Sequence, residues 1–203
     1  MGQQVLGTKG CERCRWVPVL VVEICALFIA GCSSRRAVEP AEMLVGKAIP
    51  SFVGEALDGR RVTFPSEVTG SVNLLLVAYV QEAQFDVDRW VLGALQAKAE
   101  VRILELPTIE GLAARLAKGF INRGMQQGIP SQDWPAVVTV YDDAQTLASF
   151  IGGIPGNNAC ALLVDRSGIV RWVHREGYSP REMLELVAEA QKLAGESSAA
   201  DVQ

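Results

Sequence analysis

Val72-Asn-Leu-Leu-Leu-Val-Ala-Tyr-Val80 is a near-continuous apolar run about as long as one strand. A strand with one face in water alternates apolar and polar residues. One that does not alternate is buried on both faces, as in the middle of a sheet covered by helices. The residues that follow fit that setting. From Phe85 to Ala99, the side chains Val87, Trp90, Val91, Leu92, Leu95 and Ala99 recur near helical spacing. Val101 to Leu106 then reads as a further strand, closed by Pro107. Strand, helix and strand in succession predict a βαβ unit and an α/β fold.

Ile109 to Gln127 reads as a second helix with Leu112, Leu116, Phe120 and Ile121 as its core stripe. Gly119 and Gly124 weaken it by about 1 kcal/mol each relative to alanine. Ala136 to Tyr141 is a third core strand, and Asp142-Asp143 can cap a short helix, Ala144 to Ile151. Two hairpins bracket this central part. The first spans Gly46 to Pro65 and turns at Asp58-Gly59, where glycine supplies the positive φ of the turn. The second joins Ala159–Val164 to Ile169–His174 through Asp165-Arg-Ser-Gly168. A final helix starts at Ser179, with Pro180 at its first position and Glu182 at the capping-box position. Leu184, Leu186, Val187, Ala190 and Leu193 give it an apolar face, and residues 196–203 are expected to form a disordered tail.

Three stretches carry a resemblance over most of this region. They are Gly46-x-x-x-Pro50-x-Phe52, Leu57-Asp-Gly-x-x-Val62, and Leu162-Leu-Val-Asp165-x-x-Gly168-x-Val170-x-Trp172 with Gly177. In this order they resemble the thioredoxin fold as extended in peroxiredoxins. The resemblance implies a three-layer α/β domain, with a central mixed sheet flanked by helices and an added N-terminal hairpin. Active members hold a nucleophilic cysteine between the first core strand and its helix, where the helix N-terminus stabilises the thiolate. Here that loop is Gln81-Glu-Ala-Gln-Phe-Asp-Val-Asp88, without cysteine. The proline that such proteins place against the thiol should fall near Ala159 and is missing too. Both halves of a thiol site are absent.

Cys160 is the one cysteine of the expected domain, and it opens a strand among apolar residues, where a free thiol behaves as a small hydrophobe. A thiol peroxidase or thiol-disulfide oxidoreductase using Cys160 stays open as the alternative. His174 is the only histidine and reads as a surface or edge residue, which excludes a metal site built on several imidazoles. Glu82, Asp86 and Asp88 could hold a cation, although acids at a helix start commonly serve the helix dipole alone. No cofactor is expected.

Ahead of the domain, Ile29-Ala-Gly-Cys32 ends a short apolar run from Val17 to Phe28 that follows Lys9, Arg13 and Arg15. This layout resembles a bacterial lipoprotein signal. It implies cleavage after residue 31, a covalent lipid on Cys32, and export with anchorage to a bacterial membrane. Ser33 matches sorting to an outer membrane, facing the periplasm. An uncleaved weak anchor and a start placed too early are the alternatives, since Glu12, Pro18 and Glu23 are untypical of such signals. The chain then divides into a signal (1–31), lipidated cysteine and tether (32–45), the thioredoxin-like domain (46–195) and the tail (196–203). Cys11, Cys14 and Cys25 fall in the removed segment, and the Cys11-x-x-Cys14 pair has no second pair or histidine to make it a metal or redox site. The net charge of −4, spread along the chain without a basic block, offers nucleic acid no footprint.

Phe85-x-Val87-Asp88-x-Trp90, Gly124-Met-Gln-Gln-Gly128-Ile129 and Val140-Tyr-Asp142 resemble one family more closely. It comprises the mitochondrial ATP synthase assembly factors and their bacterial relatives, which have a thioredoxin-like fold without redox cysteines. The resemblance implies a non-catalytic, membrane-anchored domain that binds or escorts another envelope protein. A static envelope scaffold is the second alternative. The binding face would include Asp86, Asp88, Arg123, Met125, Gln126 and Gly128, arginine and methionine being enriched at interfaces. Met125 in the core and a solvated Arg123 are equally consistent with the sequence, and Trp90 belongs in the core.

Overall fold

The computed structural model describes residues 41–153 and 156–200, and the side chains of 43–153 and 156–195. The expected signal, Cys32 and the tether up to residue 40 lie outside the described residues, as do 201–203.

The first hairpin pairs β1 (Phe52–Ala56) with β2 (Arg61–Phe64) in antiparallel register. Gly59, with φ at +89°, makes the turn, and the Asp58 carboxylate accepts the Arg60 amide at 2.9 Å. Phe52 and Phe64 are directly opposed, and their rings stack with centroids 4.2 Å apart. Then follow β3 (Asn73–Ala78), α1 (Gln84–Gln96) and β4 (Arg102–Pro107), with β4 parallel to β3. Helix α2 (Leu112–Gly128) leads to β5 (Val138–Thr139) and α3 (Ala144–Phe150). The second hairpin is β6 (Cys160–Val164) and β7 (Val170–His174), and α4 (Pro180–Ala200) closes the fold.

Two sheets result, β2-β1-β5 and β4-β3-β6-β7. Parallel bridges Glu105–Val137 and Thr108–Val140 join them edge to edge into one mixed layer of thioredoxin-like order. The third core strand is thus shorter than Ala136–Tyr141, because only Val138 and Thr139 pair in ladder with β1.

The continuous run in β3 is buried along its whole length, and its two faces enter different cores. Leu75 and Val77 join Phe52, Phe64, Leu104, Leu106, Leu162, Leu147 of α3 and Ile151 just after it. Leu74 and Leu76 meet Val87 and Trp90 of α1 and Leu186 of α4 on the other side. Each such fully buried side chain contributes about 1.5–3 kcal/mol relative to exposure.

Several expected core positions are in water. Leu92 and Leu95 on α1 and Leu184 on α4 are exposed, since each helix turns only part of its apolar arc toward the sheet. The largest departure is α2. Leu112, Leu116 and Phe120, expected as its core stripe, are 68%, 81% and 77% exposed, and among the described residues Asn122 is its one buried side chain. Helical backbone in α4 continues to Ala200, where a disordered tail from 196 is expected. Ser179 caps α4 as expected, its hydroxyl accepting the Glu182 amide at 3.2 Å, but the Glu182 side chain goes to His174 instead of closing the capping box.

Candidate functional site

In a thioredoxin-like sheet the chemistry sits where β3 hands over to α1, facing the start of β6. A short 3-10 turn, Gln81–Ala83, makes that connection here, and the first turn of α1 follows at once. Asp86 lies in that first turn and is only 4% exposed. Its Oδ2 accepts the Ala159 amide at 3.0 Å, and its Oδ1 accepts the Tyr178 amide at 2.7 Å. One carboxylate therefore ties the start of α1 to the start of β6 and to the loop before α4. Asp86 is expected above as an exposed acid on a binding face. It is instead an internal tie whose two oxygens are both committed.

Behind this tie lies an aromatic cluster. The Trp90 ring meets Tyr178 edge-on at 5.3 Å and Trp172 at 5.8 Å. Gly93, one turn further along α1, makes room for it, because a Cβ there would stand 2.7 Å from the Tyr178 ring. His174 stacks on Trp172, with its Nε2 2.9 Å from the Gly177 carbonyl and its Nδ1 3.3 Å from Glu182. It lies on the edge strand β7 but is half-buried, with both ring nitrogens engaged, so it is not a surface residue.

Cys160 is fully buried within the apolar layer on the opposite side of the sheet. Burial pushes its thiol up to about 12, against the opposing pull of the Arg175 charge. A thiol so placed is protonated at any physiological pH, and the thiolate is the reactive species. Nearby, Tyr79 donates its hydroxyl to the Ala144 carbonyl at 3.1 Å, and burial pushes its pKa above the ordinary phenol value.

The remaining candidates scatter. Asp88 is exposed and accepts a 3.0 Å bond from Gln84, whose amide also reaches Glu105 at 3.4 Å. Burial raises the Glu105 carboxyl, against the Gln84 bond, with Asp88 and Asp133 adding to the upward push. Arg123 is exposed, and its Nε donates to the Gly119 carbonyl of its own helix at 3.0 Å. Met125 is half-buried, and Gly128 is exposed at the last position of α2. Gln126 turns inward and donates to the Leu57 carbonyl at 2.6 Å. Asp86 and Gln126 thus do internal work, while Asp88, Arg123 and Gly128 face solvent.

Sequence reasoning missed the polar seat of α2. Lys118 and Asn122 each donate to Glu55 at 3.0 Å, and the Tyr141 hydroxyl donates to Asn122 Oδ1 at 2.7 Å. Burial and the Glu55 charge push Tyr141 up to about 12. A groove of about 460 Å³ opens beside this seat, walled by Val53, Leu112, Leu116, Arg61 and Asp142. The signal in the sequence was the i, i+4, i+8 spacing of Lys118, Asn122 and Gln126. Among the described residues, no group of three His, Cys, Asp or Glu side chains could hold a metal ion. No helix among them is long and apolar enough to cross a membrane.

No protein-family model matches the chain, and no curated protein does. Solved structures do match. A SCO1/SenC family lipoprotein from Bacillus anthracis is 13% identical, with a TM-score of 0.51 over 73% of this chain and 96% of its own. BsSco, a member of the Sco family of cytochrome c oxidase assembly proteins in which a disulfide switch was identified, is also 13% identical. Its TM-score is 0.51, over 74% of this chain and 95% of its own. A thiol:disulfide interchange protein, DsbE, from Chlorobium tepidum is 18% identical with a TM-score of 0.49, over 72% and 96% of the two chains. Sheet order, helix placement and the two Sco-family likenesses agree that the chain is folded as a thioredoxin-like domain.

Proposed function

We propose that this chain is an exported, lipid-anchored, redox-inactive thioredoxin-like protein that binds or escorts another protein of the cell envelope. The observation that carries the reading is Asp86. The place at which a thioredoxin-like fold presents its nucleophile holds a buried carboxylate bonded to two backbone amides. Such a carboxylate braces the fold, and it offers no thiolate sulfur with which to attack a disulfide or a peroxide. Beside it, α1 presents Phe85, Leu92 and Leu95 to solvent around Asp88 and Arg89, an apolar face with charges of both signs on which a protein partner can seat. The exposed end of α2, with Arg123 and Gly128, supplies a further contact. A lipoprotein and an assembly protein among the structural likenesses are compatible with an envelope setting.

The test is peroxide and insulin-disulfide turnover by the mature chain, with Cys160→Ser alongside. Neither protein should turn over either substrate. Turnover that disappears with Cys160→Ser would make this a one-cysteine redox enzyme and end the proposal. Crosslinking from Phe85→Cys in growing cells then separates escort from scaffold. An escort's adduct fades when synthesis of membrane proteins is stopped, whereas a scaffold's adduct persists.

A further inference from the structure

Helix α2 is turned inside out. An amphipathic helix covers a domain with its apolar stripe and shows its polar side to water. Here Lys118, Asn122 and Gln126, spaced one turn apart, face the sheet and bond Glu55 and the Leu57 carbonyl. Leu112, Leu116 and Phe120, also one turn apart, are largely in solvent, the first two at the rim of the groove, with Ala113 and Ala117 exposed beside them. Three large apolar side chains left in one line forfeit about 1.5–3 kcal/mol each. A contiguous face of this kind marks an interaction site.

Charge indicates what covers it. Between Leu112 and Gly128 the chain carries Arg115, Lys118 and Arg123 and no acidic residue, although its net charge is −4. Arg115 and Lys118 are paired at the flanks, with Asp142 at 2.6 Å and Glu55 at 3.0 Å. Arg123 lies two turns beyond Leu116 on the outward side, and among the described residues it makes no ion pair. The outward side of α1 differs, because charges of both signs, Asp88 and Arg89, interrupt its apolar residues and Glu82 stands at its start. An apolar stripe on a helix with no acid of its own, whose one cation outside an ion pair lies at the end of the stripe, fits a helix lying in the interface of a bilayer with anionic headgroups. Chain length agrees. Residues 33–40, between Cys32 and the described domain, reach at most about 30 Å, so a lipid on Cys32 keeps the domain within roughly its own diameter of the bilayer. At the high effective concentration this sets, a weak contact suffices.

We infer that Leu112, Leu116, Phe120 and Arg123 dock α2 on the surface of an anionic bilayer, fixing which side of the domain faces the membrane. The inference rests on the lipid-anchor reading above. It moves Arg123 from the protein contact to the bilayer and leaves the face of α1 for the protein partner.

The domain's own chemistry makes the test clean. With Cys32 acylated and Cys160 buried, the mature chain has no accessible thiol, so Phe120→Cys introduces a single labelling site. Thr146→Cys is the control, exposed on α3, where Leu147 and the following Ile151 cover the other face of the sheet. Each variant of the mature chain carries a fluorophore and is reconstituted in vesicles of phosphatidylethanolamine and phosphatidylglycerol (3:1) containing a lipid-borne quencher. The label at 120 should be quenched about threefold more than that at 146. Adding Arg123→Glu, or replacing phosphatidylglycerol with a zwitterionic lipid, should bring the two together. Equal quenching in a chain that floats with the vesicles would overturn the docking and leave the anchor standing. A chain that neither floats nor is quenched at 120 would overturn both. A label at 120 shielded from water yet untouched by the lipid quencher would place a protein, such as a second copy, on this face and overturn the inference.

Discussion

The Asp86 carboxylate accepts the Ala159 amide at 3.0 Å across 73 residues of sequence, and so closes the end of the sheet at which related folds do their chemistry. Two buried donors depend on that one side chain, the second being the Tyr178 amide. Asp86→Ala leaves both amides unpaired and should cost about 3 kcal/mol, whereas Asp86→Asn, which keeps one acceptor, should cost about 2 kcal/mol. Urea midpoints at unchanged slope would measure both. A loss below about 0.5 kcal/mol for Asp86→Ala would remove the bracing role assigned to it.

Cys160 should be inert while the domain is folded. With its thiol raised to about 12, the thiolate fraction at pH 8 is about one in ten thousand. Iodoacetamide should leave native protein unmodified at this position over hours and alkylate it within minutes in denaturant, as mass spectrometry of the Cys160 peptide would show. Rapid labelling of folded protein would revive the redox alternative.

Gly93→Ala tests the packing of α1 on the loop before α4. Its new methyl would sit 2.7 Å from Tyr178 Cε2, 2.8 Å from its hydroxyl and 3.1 Å from Met183 Cε. Tyr178 is pinned through its own amide by Asp86, so the ring has little freedom to withdraw. A loss of about 1–3 kcal/mol is expected, with a change in the near-ultraviolet circular dichroism of Trp90.

Two carboxylates tie stability to acidity. Burial acts to raise Glu67, but its bonds to Arg102 and Arg60 outweigh that and hold it below the ordinary value. Asp165 behaves alike, with burial outweighed by the Ile169 amide, Arg171 and the Ser167 amide. A carboxyl lowered in the folded state stabilises fully above its unfolded value, and that stabilisation fades as pH falls through the folded value. These two should therefore make thermal midpoints fall below about pH 5, while Glu105, raised by burial, adds a loss as pH rises from its unfolded value through its folded one. Arg102→Ala should lower the maximum and flatten the acid limb, and an unchanged acid limb would exclude Glu67 as a contributor.

The seat of α2 makes it separable from the rest of the fold. Asn122→Ala removes the link between Glu55 and Tyr141. Hydrogen exchange across 112–128 should accelerate at least tenfold while global stability changes by only about 1 kcal/mol. Equal losses in helix and core would show that α2 unfolds only with the whole domain.

How far the sequence reached depends on what kind of signal each element leaves in it. β3 announces itself because burial on both faces permits no polar residue within Leu74–Ala78, and the Asp58-Gly59 and Ser179-Pro180 signals are local chemistry that tertiary contacts do not override. Helical periodicity is different. It reports that α2 has two unlike faces without saying which one turns inward, and burial of the polar one depends on Glu55 and Tyr141, far off in the chain. The same limit hid Asp86. An acid in the first turn of a helix satisfies the helix dipole in either case, and only the arrival of two distant amides makes it internal. Missing cysteines, by contrast, are legible directly, since chemistry that needs a thiolate needs the residue.

One last consequence belongs to the join between β4 and β5, where two single bridges connect what are otherwise separate ladders. Leu104 and Leu106 of one ladder and Val138 and Val140 of the other share the same apolar layer, which crosses the join beneath it. On the α2 side, the β1 and β5 strands next to the join carry polar bonds and an open groove in place of such a layer. Stiffness against bending there comes from the grip of side chains on one surface, and backbone hydrogen bonds add little. The two ladders are like two boards glued along one side, strong against being pulled apart in the glue's plane and compliant when folded away from it.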